Sequence, residues 1–129
     1  MRIISFWKSI TWALLILLAC LLPSSSINKI ADFSVPHFDK VVHFGIFFIL
    51  TILLISDYNR MTDSRISYSQ KLLASALIVF AYGLAIELLQ YFTIPSRSFE
   101  TYDILANAIG IVSGLANYKP ISRLTKGYL

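Results

Sequence analysis

Four apolar runs, separated by short polar stretches, dominate this chain. They cover about residues 7–22, 40–56, 72–93 and 102–118, the third interrupted by Glu87 and Gln90. In hydrocarbon a backbone must satisfy its own N–H and C=O groups, and a helix does so within a single segment. Crossing a bilayer core takes about 20 residues, with a lower limit of roughly 17. The second and fourth runs reach that length only if the polar residues at their starts, Asp39, Lys40 and Thr101 to Asp103, are counted. The pattern predicts an all-α polytopic membrane protein with four transmembrane helices and polar helix starts at the interface. Residues 1–129 are expected to form one domain.

Composition supports a lipid environment. Hydrophobic residues make up 57% of the chain and charged residues 14%, with a mean hydropathy of +0.70. Ordinary soluble domains carry roughly 45–50% apolar and roughly 25% charged residues. A soluble chain this short has too little interior to hide so much apolar surface. The pI of 9.3 raises nucleic acid as a partner, but the basic residues are scattered and no aromatic-basic stripe accompanies them, so none is expected. Membrane lipids are.

The basic residues instead set an orientation. With alternate sides assigned to the connections, one side holds Arg2, Lys8, Arg60, Arg65, Lys71, Lys119, Arg123 and Lys126, and the other Lys29, Lys40 and Arg97. Eight against three predicts that both termini are cytoplasmic. Cys20 has no second cysteine to pair with. Leu17-Leu18-Ala19-Cys20 also resembles a lipoprotein cleavage site. Leu21 and Leu22 carry the apolar run beyond it, so a retained first span with Cys20 as a small buried residue is expected. In the first connection Ile27, Ile30 and Phe33 stand at helical spacing, which fits either a flat interfacial segment or an irregular loop. Residues 57–70 read as a polar connection.

On this topology the strongly polar intramembrane residues gather at the exterior end, and nothing comparable marks the cytoplasmic half. Asp39, Lys40 and His43 open the second span. Glu87 lies about 9 Å inside the end of the third, at 1.5 Å per residue, with Gln90 between. Arg97 is in the following loop. Asp103 opens the fourth span, with Asn107 one turn deeper. Asp39 and His43 are spaced i,i+4, and Glu87 and Gln90 i,i+3. Asp103, Asn107 and Gly114 follow one stripe, with Gly110 beside it. Polar groups in a membrane normally face a bundle interior or water, so three helices are expected to turn these stripes toward one another. Gly110 and Gly114 form a GxxxG, and Ala81, Gly83 and Ala85 are expected to thin the third span.

The motifs Asp39-Lys40-x-x-His43-Phe44, Glu87-x-x-Gln90, Pro95-x-Arg97, Asp103-x-x-x-Asn107 and Gly110-x-x-x-Gly114 resemble those of the VanZ-like family of small bacterial membrane proteins. The resemblance spans about residues 38–115. It implies a small bacterial membrane protein; with the orientation read from the basic residues, a multi-pass protein of the bacterial inner (cytoplasmic) membrane with its polar cluster facing the periplasm or exterior is expected. The family takes its name from a protein that lowers susceptibility to the glycopeptide teicoplanin. Motif positions carry over as Asp39, Lys40, His43, Glu87, Gln90, Arg97, Asp103, Asn107 and Gly110; their roles do not.

Three functions fit these residues. The cluster is a satisfied polar network that packs the helices of a non-catalytic accessory subunit within a larger membrane or envelope protein complex. Alternatively, Lys40 and Arg97 hold the anionic head of an outer-leaflet lipid or lipid-linked precursor. As a third reading, the chain is an intramembrane enzyme with His43 as general base and Glu87 as acid. No serine or cysteine nucleophile is placed with that pair, and Ser96 and Ser98 read as turn residues. Asp39, His43, Glu87 and Asp103 form an oxygen-rich set, but with one histidine and no second His or Cys ligand zinc is disfavoured. No metal and no cofactor is assigned.

Overall fold

The computed structural model describes residues 6–21, 37–61, 65–94, 98–126 and 128. They form four helices: α1 Trp7–Leu21, α2 Phe38–Arg60, α3 Tyr68–Thr93 and α4 Thr101–Leu124. The first-connection residues Ile27, Ile30 and Phe33, and Arg97, fall outside the described residues. Local chemistry explains the ends. Ser67 and Gln70 close a capping box at the start of α3: Gln70 N donates to Ser67 Oγ at 3.3 Å, and Ser67 N to Gln70 Oε1 at 2.8 Å. Asp39 and Asp103 sit in the first turns of α2 and α4, and Arg60 and Arg123 in their last turns. Each charge complements the helix dipole it stands near.

The helices outrun the apolar runs. The segment read as a polar connection from Asp57 contributes its first four residues to the end of α2 and Tyr68 to Gln70 to the start of α3. Backbone helicity continues because a hydrogen-bond ladder does not stop where side chains turn polar. α2 and α3 are long and apolar enough to cross a membrane, and α1 is a shorter apolar helix of 15 residues. In a soluble protein such helices would be mostly buried. Here only 39% and 28% of the most apolar windows of α2 and α3 is buried. Large side chains such as Leu14, Leu18, Leu73, Leu77, Phe92 and Val112 are exposed instead.

α2 and α4 run parallel, make the most extensive contact between helices, and form the spine of the bundle. Glycines permit the approach. A Cβ on Gly110 would stand 2.5 Å from the Phe44 carbonyl oxygen, and one on Gly114 2.9 Å from Thr51 Cβ. On α3 the thin point is Gly83, where a Cβ would meet the Phe47 ring at 3.1 Å. Ala81 and Ala85 are exposed and do not thin that interface. Two residues along a helix is about 200°, which puts them on the far side from Gly83. The α2 seam reads His43, Phe47, Leu50, Leu54, Asp57, at alternating steps of four and three, and all five are buried. It is apolar in the middle and polar at both ends. Ile16, Phe47, Leu50, Val79 and Ile111 form the apolar core around it.

α1 lies along α2, with lesser contact to α3. Three polar contacts between side chains and backbone carbonyls tie it to α2 and α3 among the described residues. Trp12 Nε1 donates to Ile46 O at 3.0 Å, Tyr82 Oη to Ala13 O at 2.6 Å, and Gln90 Nε2 to Cys20 O at 2.8 Å. Cys20 is half-buried beside the core. An apolar cavity of about 350 Å³ opens between α1, α2 and α3, with Ile10, Ala13, Leu54 and Ile78 in its wall.

Candidate functional site

The polar residues at the start of α2 and α4 separate into two levels. The upper level is centred on Lys40. Its Nζ lies 2.6 Å from Asp39 Oδ2 and 2.7 Å from Asp103 Oδ1, and it also donates to Glu100 Oε2. The contact with Asp103 is an ion pair without hydrogen-bond alignment. Lys40 therefore ties its own helix to the N-terminal turn of α4. Its side chain is about one-fifth exposed, and the Asp39 and Glu100 side chains are nearly half exposed.

The lower level is buried. His43 Nδ1 is 3.0 Å from Asn107 Oδ1, which fits an N–H donated to the amide oxygen, and 3.8 Å from Glu87 Oε1. His43, Glu87 and Asn107 are 4%, 3% and 2% exposed, so α2, α3 and α4 each place one polar side chain in the same enclosed space. Asp103 joins the two levels. It is paired with Lys40 above, and its carboxylate, the His43 ring and the Glu87 carboxylate each bring a ligand atom within 4.8 Å of the others. Asn107 Nδ2 is buried without a hydrogen-bond partner. It packs beside the open face of Gly83, where a Cβ would stand 3.2 Å from it.

The family model described as VanZ/LLP1 matches residues 3–123. The chain belongs to the VanZ/LLP1 family. No curated protein and no solved structure matches it. With its apolar helices, family membership makes this a membrane protein.

Measured against its sequence motifs, this VanZ/LLP1 protein brings Asp39, Lys40, His43, Glu87, Asp103 and Asn107 to one end of the bundle. Two expectations change. Asp39 and His43 share helical spacing but not an environment, because Asp39 turns outward to Lys40 while His43 points inward. Gln90 is buried but directed to α1, where it satisfies the Cys20 carbonyl. Glu100 also joins the Lys40 level.

The opposite end also holds a buried polar node. Asp57 is 1% exposed, and its Oδ2 accepts from Ser9 N at 3.1 Å and Ser9 Oγ at 2.6 Å. Ser9 is the third residue of α1, so its N–H is one of those a helix start leaves without an intrahelical partner. Asp57 thus caps α1 from another helix, at its positive end. The sequence did carry a signal for it. Asp57 stands 14 positions from His43, four helical turns, on the same face. Nearby, Asn59 Nδ2 donates to Tyr118 Oη at 3.0 Å, and Tyr118 is buried.

Proposed function

We propose that this protein is a non-catalytic integral component of a larger envelope complex in the bacterial cytoplasmic membrane. In this reading all four helices span, both termini are cytoplasmic, and the Lys40 end faces the exterior. The eight-to-three division of basic residues supports the orientation. One observation carries the role: the polar groups of the cluster largely answer one another across helices. Lys40 is matched by three carboxylates, and His43 by the Asn107 amide beside Glu87. Such a network orders the packing of α2, α3 and α4 and leaves the apolar outer faces for lipid and a partner.

The rival functions ask more of the same residues. Head-group binding through Lys40 requires its ammonium to leave three carboxylates. Base catalysis by His43 requires a nucleophile, but among the described residues its hydrogen-bond partner is an amide, not a hydroxyl or thiol. The test is native mass spectrometry of the tagged protein, extracted from its own membrane in mild detergent. A stoichiometric assembly with a second membrane protein is the expected result. A lone chain carrying one defined lipid, lost on Arg97→Ala, would overturn the accessory reading in favour of the outer-leaflet one.

A further inference from the structure

We propose that the buried level of the cluster binds one divalent cation of the oxygen-seeking kind, Mg²⁺ or Mn²⁺, through His43, Glu87, Asp103 and Asn107. The geometry comes first. Each of His43, Glu87 and Asp103 offers a ligand atom within 4.8 Å of the other two. Asn107 Oδ1 and Glu87 Oε1 lie 3.0 and 3.8 Å from His43 Nδ1. Around an ion with bonds of about 2.1 Å in octahedral geometry, neighbouring ligand atoms are about 3 Å apart. The Asn107–His43 spacing already has that value; binding moves the His43 proton from Nδ1 to Nε2 and draws the Glu87 and Asp103 carboxylates inward. Lys40 engages Asp103 Oδ1, which leaves that carboxylate its second oxygen.

Charge is the second argument. Among the described residues, Asp39, Glu87, Glu100 and Asp103 bring four carboxylates to this end, against the ammonium of Lys40. Glu87 and Asp103 are 3% and 6% exposed, and two carboxylates held close together in so enclosed a place repel one another, which a cation between them relieves. The third observation is Asn107 itself, 2% exposed with an amide Nδ2 that has no hydrogen-bond partner. Mg²⁺ and Mn²⁺ keep water among their ligands, and an ion-bound water provides an oxygen for that donor. One imidazole nitrogen among oxygens suits these ions better than zinc. The ion would fasten α2, α3 and α4 together whether or not the accessory reading holds.

The test uses the full-length protein in detergent, stripped with chelator and titrated with Mn²⁺. The expected result is one saturable ion per chain, displaced by excess Mg²⁺, with ¹⁴N coupling from an imidazole in pulsed electron paramagnetic resonance. Glu87→Gln is expected to weaken binding by about 100-fold, and His43→Gln to abolish the ¹⁴N coupling. Absence of saturable binding by the wild-type protein overturns the proposal. So does binding without ¹⁴N coupling, which would place the ion on the exposed carboxylates of Asp39 and Glu100, and so does unchanged affinity in Glu87→Gln. Should neither variant fold, the wild-type ¹⁴N measurement decides alone.

Discussion

Two charged residues illustrate how differently one side-chain type is used at the two ends of the bundle. Asp57 is enclosed, and its partners are a neutral hydroxyl and a backbone N–H. Hydrogen bonds to a charged group contribute about 1.5–3 kcal/mol each. Asp57→Ala is therefore expected to lower the thermal unfolding midpoint clearly, and Ser9→Ala less, because its backbone donor survives. A double-mutant cycle on this pair should give a coupling of at least about 0.5 kcal/mol. Strict additivity would mean that the contact does not operate in the membrane protein. Lys40 is the contrasting case, a partly exposed side chain among three carboxylates. Lys40→Met removes the positive charge that, among the described residues, holds them together. Its loss of stability should shrink as salt is raised, since added ions screen the remaining repulsion. Unfolding midpoints at low and high ionic strength check this, and a loss independent of salt would point to packing by the lysine stem instead.

At the level of elements, the spine is a contact between backbones. Gly110 admits the Phe44 carbonyl where any side chain would collide, since even a methyl group would lie 2.5 Å from it. The obstacle is main chain, which cannot rotate away. Gly110→Ala should cost about 1–3 kcal/mol, as overpacked sites do. Gly45 provides an internal control. It lies in the same helix as Phe44, but a Cβ there meets nothing within 4 Å. Gly45→Ala should be neutral or stabilising by up to about 1 kcal/mol, from the better helix propensity of alanine. Equal effects of the two substitutions on unfolding would show that the α2–α4 approach is not as close as described. The buried stripe of α4, Asp103, Asn107, Gly110, Gly114 and Tyr118, places polar partners and close packing on one face. Rotating α4 to relieve a clash at Gly110 would also draw Asn107 away from His43.

For the whole molecule, the outer surface is apolar on every helix and the polar groups lie at the two ends of a buried seam. In the orientation proposed from the basic residues the Lys40 end faces outward, and labelling tests it. In a Cys20→Ser background, Ser98→Cys should react with an impermeant thiol reagent added to intact cells, and Ser64→Cys should react only after the membrane is opened. Labelling of Ser64→Cys from outside would invert the arrangement and place the Lys40 cluster in the cytoplasm.

Much of this architecture was legible along the chain, because it depends on near neighbours. Four helices, their apolar surfaces and the shared face of Asp103 and Asn107 follow from composition and from a repeat of 3.6 residues. The VanZ-like motifs were legible for the same reason. Tertiary structure decided what those faces meet. The rotation of each helix about its axis is set by the close fit at Gly110, Gly114 and Gly83. That rotation divides Asp39 from His43, sends Gln90 to α1 and brings Glu100 to Lys40. Asp57 shows why such choices escape a linear reading. A carboxylate at the end of an apolar run has the same local sequence whether it meets water or the start of another helix. Only the arrival of Ser9, 48 positions away in the chain, makes it an interior residue.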